Sequence, residues 1–173
     1  LNALNIKDEK VRVGLNTGVG KRWKTREWPL AHWLQLARSL INLGYQVILL
    51  GGPSEDQKNK YIASETGALY PGIFGLREFI GVVSLCDLIL TAVTLTLHIA
   101  IGLGKKIVLF NNVFNKHEFY LYGLGKIIEP PVPCIACYKH TFDNSCESNN
   151  CMELIKPKDV IKEIEKLMTD ADL

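Results

Sequence analysis

Short apolar runs and longer amphipathic stretches take turns along this chain. Residues 11–16 (VRVGLN) and 45–50 (YQVILL) are brief runs rich in Val, Ile and Leu. The stretch 87–110 (DLILTAVTLTLHIAIGLGKKIVLF) reads as a buried strand, a turn at Ala92 to Thr94, a helix carrying His98, and a second buried strand over 106–110. Runs this short and this apolar predict strands covered on both faces, as in a parallel sheet. Between them the period changes. Leu30, Trp33, Leu34, Ala37, Leu40 and Ile41 recur at helical spacing after Pro29 and stop at Gly44; residues 76–84 predict a shorter helix. Pro157 opens a last helix, over 157–168, with Val160, Ile161, Ile164, Leu167 and Met168 on one face. This order predicts an α/β fold, a Rossmann-like doubly wound parallel sheet.

In such sheets ligands gather where a strand gives way to a helix, because the helix's first amides converge there with the positive end of its dipole. The turn before Thr94 and His98 is one such place. The loop TGVGKRWKTREW after the first strand is another, and it tests two phosphate motifs. A Walker A sequence needs Gly five residues before Gly20, where Leu15 stands, and Ser or Thr after Lys21, where Arg22 stands. A dinucleotide fingerprint needs Gly where Trp23 stands. What is left is a basic, glycine-bearing loop with Lys21, Arg22, Lys24 and Arg26. It is suited to holding phosphates, or equally to lying solvated. The third place is Gly51-Gly52-Pro53-Ser54-Glu55 after the second strand. Small residues there permit close approach, Ser54 can cap the next helix, and Glu55 either satisfies the helix dipole or accepts from ribose hydroxyls.

Composition narrows the classes. The 173 residues suit one domain, 47% are hydrophobic and 22% charged, and 20 basic against 18 acidic side chains leave a net charge of +2. That balance gives no sign of the broad basic surface required by duplex nucleic acid. No apolar run reaches membrane-span length. The start, LNALNIKDEK, has neither Met nor a signal-peptide plan, so residues 1–10 read as a linker and the chain as a piece of something longer. Five Cys in a core-rich α/β sequence point to a reducing cytoplasm. Cys86 sits among apolar neighbours as a core residue. In a Cys-rich loop over 130–155, Cys134, Cys137, Cys146 and Cys151 stand with two, eight and four residues between them. Structural zinc, disulfides and free thiols are the three readings of that cluster. His98 itself has two: a ligand at the helix start, or a core histidine with one satisfied hydrogen bond.

Taken in order, a Gly-bearing basic loop ending in Trp28-Pro29, a helix, a strand into Gly-Gly-Pro-x-Glu, a helix with His98-x-Ala100 and a closing Cys cluster resemble glycosyltransferase family nine. Its best-known members are the ADP-heptose:lipopolysaccharide heptosyltransferases. The resemblance runs from Val11 to Met168 and implies the C-terminal, donor-binding half of a GT-B enzyme, with the N-terminal acceptor domain and its catalytic general base absent from this chain. It implies an inverting transfer of heptose or a related sugar from an ADP-sugar to lipopolysaccharide or a related bacterial glycan. No catalytic cofactor and no nucleic acid are implied. The setting would be cytoplasmic, at the inner face of the bacterial inner membrane, with a glycolipid acceptor reached through the missing domain. By position, Asn16 and Thr17 fall at the donor diphosphate, Arg26 or Lys24 at its charge, Glu55 at the ribose, and Thr94 and His98 at the helix under phosphates and sugar. Three places depart from the family pattern: Val93 replaces an Asp, Leu95 a Gly, and Asn111, Asn112 and Val113 a Gly-Pro-Thr. These departures keep alternatives in view: a degenerate binding or scaffold module, or a metal or redox module centred on the Cys cluster.

Overall fold

The computed structural model of the protein describes residues 9–20, 24–137 and 150–169. Five strands form one parallel sheet: β1 (Arg12–Asn16), β2 (Gln46–Leu50), β3 (Leu88–Ala92), β4 (Lys106–Phe110) and β5 (Gly125–Ile128), in the order β2-β1-β3-β4-β5. The helices are α1 (Leu30–Asn42), α2 (Asp56–Thr66), α3 (Leu76–Ser84), α4 (Leu95–Gly102) and α5 (Pro157–Thr169). The doubly wound parallel sheet expected from the sequence is present.

Strand residues alternate between two cores, which is why the strand sequences are apolar throughout. Val13, Leu15, Val47, Leu49, Leu88, Leu90, Val108 and Phe110 face one side, against Leu36 and Leu40 of α1, Ile62 of α2, and Val160 and Ile164 of α5. Ile48, Leu50, Ile89, Ile107 and Leu109 face the other, against Val82 and Val83 of α3 and Leu97 and Ala100 of α4. Cys86 lies in this second core as expected, and burial pushes its thiol up to about 12. Trp28, just before α1, is buried against Trp33 and Phe110.

Two local expectations change. The sequence reading ends its strands at Phe110, whereas β5 adds four half-exposed residues beyond it. GKII is too short and too lightly buried to give an apolar run. Ser54 does not cap α2; Pro53–Glu55 form a 3-10 turn instead, and the Glu55 carboxylate accepts from the Gly52 amide at 2.9 Å.

The pairing of β5 depends on Gly125. A Cβ there would stand 1.8 Å from the Ile107 carbonyl oxygen. Gly125→Ala is expected to cost about 1–3 kcal/mol by forcing the strands apart. Urea unfolding measures it, and an unchanged midpoint would refute this packing.

The strand order sets the place of the site. From β1 the chain goes outward to β2, then crosses back to β3 on the other side of β1. The loops leaving β1 and β3 therefore diverge at the carboxyl ends of adjacent strands and open a crevice between them.

Candidate functional site

That crevice holds a cavity of about 300 Å³. The end of β1 contributes Asn16 and the loop after it Gly18 and Gly20; the segment after β2 contributes Gly51, Gly52, Ser54 and Glu55. The N-terminus of α4 contributes Thr94, Leu95 and Thr96, and Phe74, Leu76 and Phe79 close the remaining side.

The floor is a buried polar network. Asn16, at the end of β1, directs its amide nitrogen to Thr91 Oγ1 at 3.0 Å, Gly18 O at 3.2 Å and Thr94 Oγ1 at 3.3 Å. The Thr91 and Thr94 hydroxyls are 3.1 Å apart. Thr94 is the N-cap residue of α4, but its side chain makes no capping bond and turns into this network instead. The first amides of α4 are thereby left to the cavity, where the dipole favours an anion.

Thr17 lies beside the floor and does not line the cavity. Its hydroxyl donates to Asn59 Oδ1 at 2.6 Å, and Asn59, itself fully buried on α2, donates to Leu50 O at 3.2 Å. The Thr17 carbonyl accepts from Lys58 Nζ at 2.9 Å, and Lys58 also pairs with Glu27 at 3.6 Å. The loop after β1 is thus tied to α2 by two side chains. Gly18 packs on Glu55: a Cβ on it would stand 2.7 Å from the Glu55 carboxyl carbon and would displace that carboxylate.

Arg26 ends a 3-10 turn, Lys24–Arg26, and is buried. Its guanidinium donates to Val93 O at 2.7 Å and to Val19 O, and it stacks 5.3 Å from the centre of the Phe114 ring. It therefore clamps the β1 loop to the turn before α4 from behind, without lining the cavity. Burial pushes its pKa down to about 10, which still leaves a cation at neutral pH. Lys24 is exposed and also stands outside the cavity lining. Lys21, Arg22 and Trp23 lie outside the described residues.

His98 is exposed on α4, so it is no core histidine, and it stands outside the lining of this cavity. Of the remaining predicted residues, Asn16, Glu55 and Thr94 come together around the cavity. Asn111 and Asn112 are both buried and bonded. Asn111 Nδ2 donates to Phe114 O and Glu129 Oε1, both at 2.8 Å, and Asn112 Nδ2 to Thr25 O at 2.9 Å. The departure from Gly-Pro-Thr is a built turn that supports the Arg26 segment.

Cys134, Cys137 and Cys151 line a second cavity, of about 240 Å³, and Asn112 Nδ2 lies 3.3 Å from Cys151 Sγ. Among the described residues, no three His, Cys, Asp or Glu side chains are grouped to hold a metal ion. Cys146 lies outside the described residues.

The sequence reading missed Lys58 and the wall of Phe74, Leu76 and Phe79. Lys58 stands three residues after Glu55, which on a helix puts both on one face. That spacing is the signal that could have found it.

A glycine-lined crevice under a helix N-terminus, at the switch point of a parallel sheet, defines a Rossmann-like domain with its cavity at the place where such sheets hold ligands. The chain belongs to glycosyltransferase family 9 (heptosyltransferase), whose family model matches residues 8–118. It is 31% identical over 111 residues to lipopolysaccharide heptosyltransferase 2 of Salmonella typhimurium, a match covering 60% of this chain and 32% of that protein. Two solved structures share the fold over nearly all of it. A family 9 glycosyltransferase from Veillonella parvula superposes with a TM-score of 0.78 at 20% identity, covering 98% of this chain and 49% of the other. The E. coli ADP-heptose lipopolysaccharide heptosyltransferase II gives 0.75 at 18% identity, covering 99% and 50%. The chain thus spans about half the length of these solved relatives. Among the described residues no helix is long and apolar enough to cross a membrane.

Proposed function

We propose that this chain is the donor-binding domain of an inverting glycosyltransferase. It moves heptose or a related sugar from an ADP-sugar to lipopolysaccharide or a related bacterial glycan. The observation that carries the reading is the cavity itself, in which Asn16, Glu55, Thr94 and the glycines of two loops converge on the amino end of α4. Support also comes from the relatives: one structure that shares the fold is a heptosyltransferase with ADP, and another is in complex with ADP-D-β-D-heptose.

In this reading the diphosphate lies over the α4 amides and the Gly18–Gly20 backbone, and Glu55 takes the ribose hydroxyls. Arg26 and Lys58 act from behind, holding the β1 loop in place and adding positive potential. An acceptor hydroxyl attacks the anomeric carbon and loses its proton to a base supplied by the N-terminal domain. The glycosyl–oxygen bond breaks with its electron pair going to the diphosphate, whose growing charge the amides and the helix dipole stabilise. The transfer is assigned no cofactor. The acceptor glycolipid is reached through the other domain, at the cytoplasmic face of the inner membrane. Structural zinc at the Cys cluster finds no support among the described residues.

Calorimetry with ADP and an ADP-sugar, on this chain and on the full-length protein, tests the proposal. Saturable binding to both is expected. No heat at millimolar ligand from either protein would sink the donor role.

A further inference from the structure

Every polar group of Thr17 is engaged within the protein. Its amide donates to Leu50 O at 3.2 Å, its hydroxyl donates to Asn59 Oδ1 at 2.6 Å, and its carbonyl accepts from Lys58 Nζ at 2.9 Å. A diphosphate offers acceptors only, so Thr17 could serve one only by withdrawing its single hydroxyl proton from Asn59. Asn59 is fully buried, and its amide is used at both ends, since its nitrogen donates to Leu50 O at 3.2 Å. Withdrawal of that proton would leave Asn59 Oδ1 buried without a partner, which is costly.

The next two carbonyls of the loop are also held by side chains: Gly18 O by the Asn16 amide at 3.2 Å, and Val19 O by the Arg26 guanidinium. In a trans peptide the N–H points opposite to the C=O of the same plane. Three held carbonyls therefore fix the directions of the three amides that follow them, those of Gly18, Val19 and Gly20. Each amide is turned away from the side chain that holds its plane. Glycine at 18 and 20 would otherwise leave this backbone loose.

We infer that Asn59 is a positioning residue for the donor site: by pinning the Thr17 hydroxyl it sets the first of these peptide planes, and so aims the loop amides at the diphosphate. Thr17 acts through Asn59 and touches no ligand. The inference rests on the donor-binding reading above and deepens it. An amide side chain is required at 59, because the group accepts from Thr17 and donates to Leu50 O at once; a carboxylate would set two acceptors face to face. Gly51 makes the room, since a Cβ on it would stand 2.9 Å from Asn59 Nδ2.

The experiment is a double-mutant cycle of ADP binding, by calorimetry on the full-length protein, at a temperature where urea unfolding shows each variant folded. Thr17→Val removes the hydroxyl. Asn59→Ala removes the amide at a helical position where Ala is well tolerated. Each is expected to weaken ADP about tenfold, and the double variant also about tenfold and not about a hundredfold, because both changes lose the same bond. Thr17→Ser keeps the hydroxyl and should bind ADP like the wild-type protein. Weaker binding by Thr17→Val with none lost in Asn59→Ala would mean that Thr17 touches the diphosphate itself, and would overturn the inference. Additive losses would overturn it too, as would a lower urea midpoint with ADP affinity unmoved in both single variants. Should Asn59→Ala not fold, Lys58→Met tests the same peptide plane by removing the donor to Thr17 O, and an unchanged ADP affinity there counts against the inference in the same way. Wild-type protein that gives no heat with ADP would instead remove the donor reading on which all of this rests.

Discussion

Trp28→Ala is expected to lower the stability of the protein by about 3–5 kcal/mol, the usual range for emptying a buried Trp site. The size follows from what the ring joins. Trp28 stands just before α1, its centroid 4.9 Å from that of Trp33 and 5.0 Å from that of Phe110 at the end of β4. Its indole nitrogen donates to Ile155 O at 3.0 Å, which ties the segment leading into α5 to the start of α1. One side chain therefore couples three parts of the chain far apart in sequence, and these parts cannot all collapse into the space left by Ala. Trp28→Phe keeps most of the ring contact and loses the bond to Ile155, leaving a buried carbonyl to find another donor. It should cost about 1–2 kcal/mol. Urea unfolding separates the two variants. Equal losses would mean that the hydrogen bond, and not the packing, supplies the stability, and a loss under about 1 kcal/mol in the alanine variant would contradict the burial described for this site.

Trp28 also shows how the fold was legible from sequence. It stands before Pro29, at the head of an apolar helical period, a position from which a large ring packs against a helix start. The strands β1 to β4 were legible for a similar reason: burial on both faces writes itself as an apolar run. β5 escaped because an edge strand of four residues buries too little to leave that pattern. The site was legible only in part, and the division has a physical cause. Glycines and a carboxylate in loops after strands announce a crevice, so Gly51, Gly52, Glu55 and Thr94 could be placed. Direction within the loops is a tertiary property. Thr17 turns to Asn59, Arg26 turns to two backbone carbonyls, and His98 is exposed. Nothing in the spacing of these residues distinguishes a side chain that lines a cavity from one that holds its walls together. The apolar wall was missed for the complementary reason, since Phe74, Leu76 and Phe79 look in sequence like the ordinary approach to a core helix.

The Arg26 geometry gives the second large effect. Arg26→Met is expected to weaken ADP binding by at least about tenfold, because the two carbonyls it serves belong to the two walls that face the diphosphate in the proposed donor site. Val19 O lies in the loop after β1, and Val93 O immediately precedes Thr94 and the start of α4. A methionine fills much of the space beside Phe114 but donates nothing, so two carbonyls that now accept from a buried cation lose their partner, at about 1.5–3 kcal/mol for each charge-assisted bond. The loop and the turn are then free to move apart, and donor affinity falls with the loss of preorganisation. Arg26→Lys separates geometry from charge. It keeps a cation behind the site, but a single ammonium cannot reproduce the fork that spans both carbonyls. If the clamp matters more than the charge, the lysine variant should bind ADP nearly as poorly as the methionine variant. If Arg26 acted chiefly by neutralising the diphosphate through space, lysine would restore most of the affinity, and salt would weaken the wild-type and lysine proteins alike and more than the methionine variant. Calorimetry at two ionic strengths decides between them, and recovery by lysine would overturn the positioning role.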